Sequence, residues 1–406
     1  MILDRRTLLA GLVLAPSAAL AREDAPVWAF DFKTPIGPYD PAVGHGFEPG
    51  PGRLFSVKVP EGDYRVTLEL GGDKASETTV KAESRRLMLE TVRVGAGKTE
   101  TRVIVVNVRR PELAPPPANA PGGKRVALNA REDGSYDWDD KLTLEFCGPA
   151  AAVRWLKIEP VTVPTLFLAG DSTVTDQRFE PAAGWGQMLP RFFKPDLSVS
   201  NQAESGETLK AFLIERRLDK ILGKIKRGDW LMIQFGHNDQ KSQWPQTYVD
   251  AATTYRDYLR AYVGEARLRG ATPVLVTSMH RRKFDETGKI VNTHGDYPRA
   301  VRETAKALDV PLIDLHAMSA TFYEALGPRD AWKAFNDGGK DATHHNNYGA
   351  YQLARCVIEG IRATMPDLAA HLVTDLPPFD PAKPPSPDTF AVPASATSSQ
   401  ETPRGN

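Results

Sequence analysis

The chain has 406 residues, 41% hydrophobic and 25% charged, which is enough to bury two separate cores. Lys and Arg together number 51, as do Asp and Glu, so no global field draws the chain to nucleic acid or to an anionic membrane. The two cysteines, Cys147 and Cys356, read as buried free thiols, and no Cys/His cluster has zinc-ligand spacing.

The opening stretch, MILDRRTLLAGLVLAPSAALA, reads as a signal peptide over residues 1–21, to be kept out of the fold. Arg5-Arg6 followed by Thr7-Leu8-Leu9 resembles a twin-arginine signal, with an ordinary secretory signal as the alternative. Pro16 and the short apolar run argue against a stable membrane span. The mature protein is therefore expected in the periplasm or outside the cell, with no membrane contact once the signal is removed.

Over residues 26–160, short alternating runs such as LFSVKV, YRVTLEL and TRVIVVNV are punctuated by Gly, Pro and Asp. Period-two alternation with turns every ten or so residues predicts an all-β sandwich. GAGKT at 95–99 is half a phosphate loop at most, because Val92 stands where such a loop needs Gly; it reads as a hairpin turn.

The texture changes at Pro164. Over 164–372 the runs TLFLAG, LSVSN, WLMIQFG, PVLVTS and PLIDL are apolar throughout and alternate with segments of helical period. Continuous runs are buried on both faces, so a parallel sheet between two helical layers is predicted, with a last helix over about 348–365. Residues 376–406, rich in Pro, Ser and Thr, read as a disordered tail. The prolines at 160 and 164 mark a linker that few contacts should cross.

Four polar segments follow the strands of this second region. They are Gly170-Asp171-Ser172, Asn201 to Gly206, Gly236-His237-Asn238-Asp239, and Asp341-Ala342-Thr343-His344-His345. Strand ends of an α/β sheet share one edge, where ligands bind. Acyl transfer needs a nucleophile, a base, an orienter for the base and donors for the oxyanion. Ser172 offers the hydroxyl, with its N–H at an expected helix start; His344 is the base and Asp341 its orienter. Gly206 and Asn238 supply further oxyanion donors. Taken alone, Ser172 reads first as a helix cap, and the other three blocks turn the reading to a nucleophile.

Together GDSTVTD, SGET, GHND and DATH resemble the four blocks of the GDSL/SGNH hydrolase superfamily. Within it, GDST, Gly184-Trp185-Gly186, Arg281-Arg282-Lys283-Phe284, Thr293 to Pro298 and D-x-T-H are most similar to rhamnogalacturonan acetylesterases. The resemblance covers about 164–366 and implies an SGNH-type, flavodoxin-like α/β/α hydrolase. FDFKTP…GHGFEPG and LTLEFCG…LKIEP resemble the galactose-binding-like sandwich that precedes some bacterial members. The chain departs from the pattern at Glu204-Ser205 and at Glu207-Thr208, where Arg-Ser is common.

The implied protein is an exported, monomeric carbohydrate esterase without a metal or organic cofactor. It removes O-acetyl groups from acetylated plant cell-wall polysaccharide, rhamnogalacturonan first. Acetylated xylan or a short-chain acyl ester is the alternative substrate, and a sugar-binding protein on an inactive hydrolase scaffold is the rival from another class. No nucleic-acid partner is implied. Of the neighbouring residues, His237 and His345 read as structural, and Trp185 as either core or a sugar platform. The run His280-Arg281-Arg282-Lys283 is a solvated charge run or, lying behind a strand, a substrate contact.

Overall fold

The computed structural model describes residues 26–399 except 117 and 120, together with 401 and 403. The expected signal peptide, residues 1–21, lies outside the described residues.

The N-terminal strands are β1 (Trp28–Asp31), β2 (His45–Phe47), β3 (Leu54–Lys58), β4 (Gly62–Gly72), β5 (Ser76–Ala82), β6 (Arg86–Val94), β7 (Lys98–Val108), β8 (Lys141–Ala150) and β9 (Val153–Pro160). They form two antiparallel sheets, ordered β1-β9-β4-β7 and β2-β3-β8-β5-β6. Alternation explains the arrangement. Val66, Leu68 and Leu70 of β4 point to one side and meet Phe55 and Val57 of β3 and Leu142 and Leu144 of β8 in one apolar cluster. The turn at Gly95 to Gly97 joins β6 to β7, but these strands belong to different sheets, so it is a crossing between sheets rather than a hairpin.

The following strands are β10 (Thr165–Gly170), β11 (Ala182–Ala183), β12 (Ser198–Asn201), β13 (Trp230–Gln234), β14 (Thr272–Val276), β15 (Leu312–Ile313) and β16 (His345–Asn346). The parallel sheet runs β12-β10-β13-β14-β15, while β11 and β16 make a separate antiparallel pair. Leu166, Leu168, Met232, Val274 and Val276 enter one core with the helix Asn347–Thr364. Phe167, Ala169, Leu231, Ile233 and Leu275 enter the other, with the helices Thr254–Leu268 and Tyr297–Leu308. Continuous apolar strands thus serve two helical layers. Within this sheet the chain places its second strand beside the first on one edge and its third on the other, so the order reverses between β10 and β13. The carboxyl ends flanking such a reversal are where α/β sheets bind ligands.

Two expectations fail in the connection between the regions. The boundary is crossed by many contacts, several of them buried ion pairs. Arg86 is 1% exposed; its Nε lies 2.6 Å from Asp176 and its Nη2 3.1 Å from Asp137. Arg85 donates to the carbonyls of Gln177 and Ala182 and pairs with Glu180 at 2.6 Å. In the other direction, Arg217 grips Glu132 through two bonds of 2.9 and 2.6 Å. Leu87 of β6 enters the core of the parallel-sheet region.

The tail is also packed rather than disordered over its described residues. Phe379 is buried, and Phe390 and Val392 pack against the same core. Ser395 Oγ donates to Glu145 at 2.6 Å and accepts from Lys81 at 2.8 Å. Spaced apolar anchors hold a segment whose composition alone reads as solvated. Among the described residues, no helix is long and apolar enough to cross a membrane.

Candidate active site

Strand β10 ends on Gly-Asp-Ser because Asp171 folds the chain over. Its Oδ1 accepts from the Thr173 amide (3.0 Å) and hydroxyl (2.7 Å), and its carbonyl accepts from the amides of Val174 and Thr175. An aspartate turn therefore follows the strand, where a helix start was expected; the next helix begins only at Trp185. The turn leaves the Ser172 amide with no protein acceptor among the described residues.

Ser172 Oγ lies 2.8 Å from His344 Nε2, and His344 Nδ1 lies 2.7 Å from Asp341 Oδ2. Asp341 Oδ1 accepts from the amides of Thr343 (2.8 Å) and His344 (3.0 Å), so one short loop carries and aligns both residues. Burial opposes ionisation of Asp341, but the His344 ring and these amides outweigh it and hold the carboxyl well below its usual range. An ionised Asp341 accepts the Nδ1 proton and leaves Nε2 as acceptor for the serine hydroxyl.

The second and third blocks reach the same edge. Gly206 has φ of +88°, a region that favours glycine, and its amide also has no protein acceptor among the described residues. The Asn238 side chain donates to the Glu207 carbonyl at 3.0 Å, and one further N–H remains on the same nitrogen. Gly236 has φ of +135°, and a Cβ there would meet Ser278 Oγ at 2.4 Å, so the loop carrying Asn238 cannot take a side chain at its entry. Asp239 fixes that loop by accepting from the amides of Gly236 and Leu209.

His237, which reads from sequence as structural, is fully buried with Nδ1 3.3 Å from Asp171 Oδ2. Burial lowers its affinity for a proton. His345 is likewise buried and bonded to the Tyr323 hydroxyl at 2.6 Å.

Sequence reasoning missed several supporting residues. Gln177 Nε2 donates to the Ser172 carbonyl (2.8 Å) and to Ser205 Oγ (3.2 Å), tying the first two blocks together. Gln234 donates to Thr173 Oγ1 and accepts from Trp185 Nε1 at 2.8 Å. Trp185 is 1% exposed and buttresses the turn from the core, so it is no platform for a sugar.

The basic run does not face outward as a patch either. His280 is buried and stacks on His316 at 3.5 Å, and burial pushes its pKa down to about 4. Arg281 donates to the His237 carbonyl (3.0 Å) and reaches Thr343 Oγ1 (3.3 Å). Arg282 donates to the Gly339 carbonyl and lies over the Phe335 ring. Arg281 joins the third block to the fourth, and Arg282 is held against the loop just before the fourth. Among the described residues, no group of three His, Cys, Asp or Glu is disposed to hold a metal.

The model of the GDSL-like lipase/acylhydrolase family matches residues 168–353, the span that holds all four blocks. The rhamnogalacturonan acetylesterase RhgT of Bacillus subtilis is 42% identical over 222 residues, 52% of this chain and 94% of its own length. The chain belongs to the GDSL-like lipase/acylhydrolase family. Its chemistry is accordingly that of a carboxylic ester hydrolase.

The probable rhamnogalacturonan acetylesterase YesY of the same organism is 38% identical over 200 residues, 48% of this chain and 92% of its own length. The uncharacterized esterase YxiM, also from Bacillus subtilis, is 30% identical over 316 residues, 76% of this chain and 74% of its own. That alignment is longer than the parallel-sheet region and tail together, so the likeness to YxiM extends into the antiparallel sheets.

Proposed function

We propose that the protein is an exported carbohydrate esterase that removes O-acetyl groups from rhamnogalacturonan through a serine acyl-enzyme. The observation that carries the reading is the hydrogen-bonded chain from Ser172 through His344 to Asp341. Ser172 Oγ attacks the ester carbonyl while His344 Nε2 takes its proton, and Asp341 stabilises the imidazolium that forms. The oxyanion is received by the amides of Ser172 and Gly206 and by the free N–H of Asn238. His344 then protonates the departing sugar oxygen. Water, deprotonated by the same imidazole, attacks the acetyl-serine and frees acetate and the serine hydroxyl.

The likeness to RhgT supports rhamnogalacturonan as substrate, and the Arg5-Arg6 segment supports export. Acetate release from acetylated rhamnogalacturonan, acetylated xylan and an aryl acetate tests the reading. Release should be fastest per acetyl group from rhamnogalacturonan and absent in Ser172→Ala. Hydrolysis of the aryl acetate and xylan without release from rhamnogalacturonan would overturn the substrate.

A further inference from the structure

Strands β5 and β6 are joined by a turn, Glu83 to Arg85, whose tip reaches into the parallel-sheet region. Glu83 and Arg85 have φ of +52° and +65°, in the left-handed region that side-chain-bearing residues rarely occupy. Such conformations persist where the surroundings over-determine them, and they cluster at functional sites. All three residues of the turn are buried. Its base is held from β8, where the Thr143 amide donates to Glu83 Oε1 at 2.9 Å and the Thr143 carbonyl accepts from the Glu83 amide.

The turn sets the Arg85 guanidinium between the segment that carries Ser172 and the segment that carries His344. Nη1 donates to the carbonyls of Gln177 and Ala182, at 2.9 Å each. Gln177 is the residue whose side chain donates to the Ser172 carbonyl at 2.8 Å. Ala182 belongs to β11, which pairs with β16 so that Ala183 lies opposite His345. Nη2 donates to Asn347 Oδ1 at 2.9 Å and pairs with Glu180, whose carboxylate accepts from Asn347 Nδ2. Asn347 opens the last helix, just beyond His344. A second brace runs alongside, because Gln187 Nε2 donates to the carbonyls of Ser84 (2.7 Å) and Gln177 (3.0 Å).

Ser172 and His344 sit on loops far apart in the chain, and their 2.8 Å contact has to be held from outside. A misplacement of about 1 Å in a reacting group costs on the order of a hundredfold in rate. A guanidinium suits the task, since its donors leave a rigid plane in fixed directions and reach several acceptors at once.

We infer that Arg85 is a positioning residue, which sets the spacing of Ser172 and His344 from across the boundary and makes the antiparallel sheets part of the catalytic apparatus. The inference rests on the serine acyl-enzyme reading. Arg86 is the natural control: it too is buried and paired across the boundary, but its partners Asp176 and Asp137 make no hydrogen bond to Ser172 or His344 among the described residues.

The test measures kcat and KM of the full chain on a small aryl acetate, at a temperature where circular dichroism shows each variant folded. Arg85→Ala should lower kcat about a hundredfold with KM within about threefold of the parent. Arg85→Lys keeps the charge without the fork and should recover part of the loss. Gln177→Met keeps the bulk, removes the donor and should cost about tenfold. The double variant Arg85→Ala/Gln177→Met should be scarcely worse than Arg85→Ala, because both act through one link to the Ser172 carbonyl. Arg86→Ala should unfold more easily yet keep kcat, which is what a purely structural role at Arg85 would also give. If Arg85→Ala does not fold, Arg85→Lys and Gln177→Met decide. Folded Arg85 and Gln177 variants with the parent's kcat, or losses that multiply in the double variant, overturn the positioning role. An active Ser172→Ala would refute the proposed reaction and the positioning with it, whereas an inactive Ser172→Ala beside fully active Arg85 variants refutes the positioning alone.

Discussion

Two polar clusters in this molecule are equally buried and differently built. The Ser172–His344–Asp341 chain is assembled from short loops that each follow a strand or precede a helix at one sheet edge. The boundary cluster of Arg85, Arg86 and Arg217 with Asp137, Asp176, Glu180 and Glu132 pairs residues roughly fifty to a hundred positions apart. In the first, a hydroxyl, an imidazole and a carboxylate are linked by two short hydrogen bonds, the geometry that the proposed proton transfer needs. In the second, guanidinium groups that stay charged hold carboxylates in fixed pairs. Burial alone therefore does not mark a reactive group; an exchangeable proton between matched partners does.

The largest expected effect separates the two clusters at once. A chain beginning at Val161 deprives Asp176, Glu180 and Arg217 of the charged partners that precede it, Arg86, Arg85 and Glu132, and exposes the core that Leu87 enters. It should give no folded protein, as read by circular dichroism and thermal unfolding; a cooperative, active fragment would show that the boundary is dispensable.

Asp341→Ala comes next. It should lower kcat on an aryl acetate by about a hundredfold to ten-thousandfold while the protein stays folded, since in the proposed reaction the residue orients and stabilises the imidazolium. Arg86→Ala should do the reverse. Removing one member of a buried network costs about 3–5 kcal/mol, so denaturant unfolding should shift strongly while kcat of the folded fraction holds.

Arg281→Ala should be smaller, about tenfold, and equal on the aryl acetate and the polymer, because its guanidinium joins the His237 carbonyl to Thr343 within the site. A loss confined to the acidic polymer would instead restore it as a substrate contact.

The smallest effect concerns acid. Asp341 has a folded pKa below its ordinary value, so it contributes stability that is present above pH about 4 and lost as the pH falls further. Asp341→Asn should lower the unfolding free energy near neutrality and flatten its decline below pH about 4.

The site was legible because α/β topology fixes where each block must lie. Once TLFLAG and WLMIQFG are read as neighbouring strands, GDS and GHND must lie at one edge, and DATH brings His344 to it. What the sequence could not show is the direction each side chain faces. Trp185 comes soon after the first block and His280 just after β14, yet both turn into the interior, where Gln234 and His316 receive them. The boundary pairs were illegible for another reason. Arg85 and Arg86 follow a turn on a strand that reads as amphipathic, and nothing local announces partners at Asp176 or Glu180. The tail misled through composition: its prolines and serines read as solvated, while Phe379, Phe390, Val392 and Ser395 are too sparse to form a period.

The measurement closest to the central claim is a double-mutant cycle on Ser172 and His344, with kcat/KM read on an aryl acetate that needs no polysaccharide contact. Ser172→Ala and His344→Ala should each lower it by several orders of magnitude without unfolding the protein. The double variant should be scarcely worse than either single one, because both residues serve a single proton-coupled attack. Losses that multiply, or a His344→Ala variant that keeps most of its activity, would contradict the assignment of His344 as the base for Ser172.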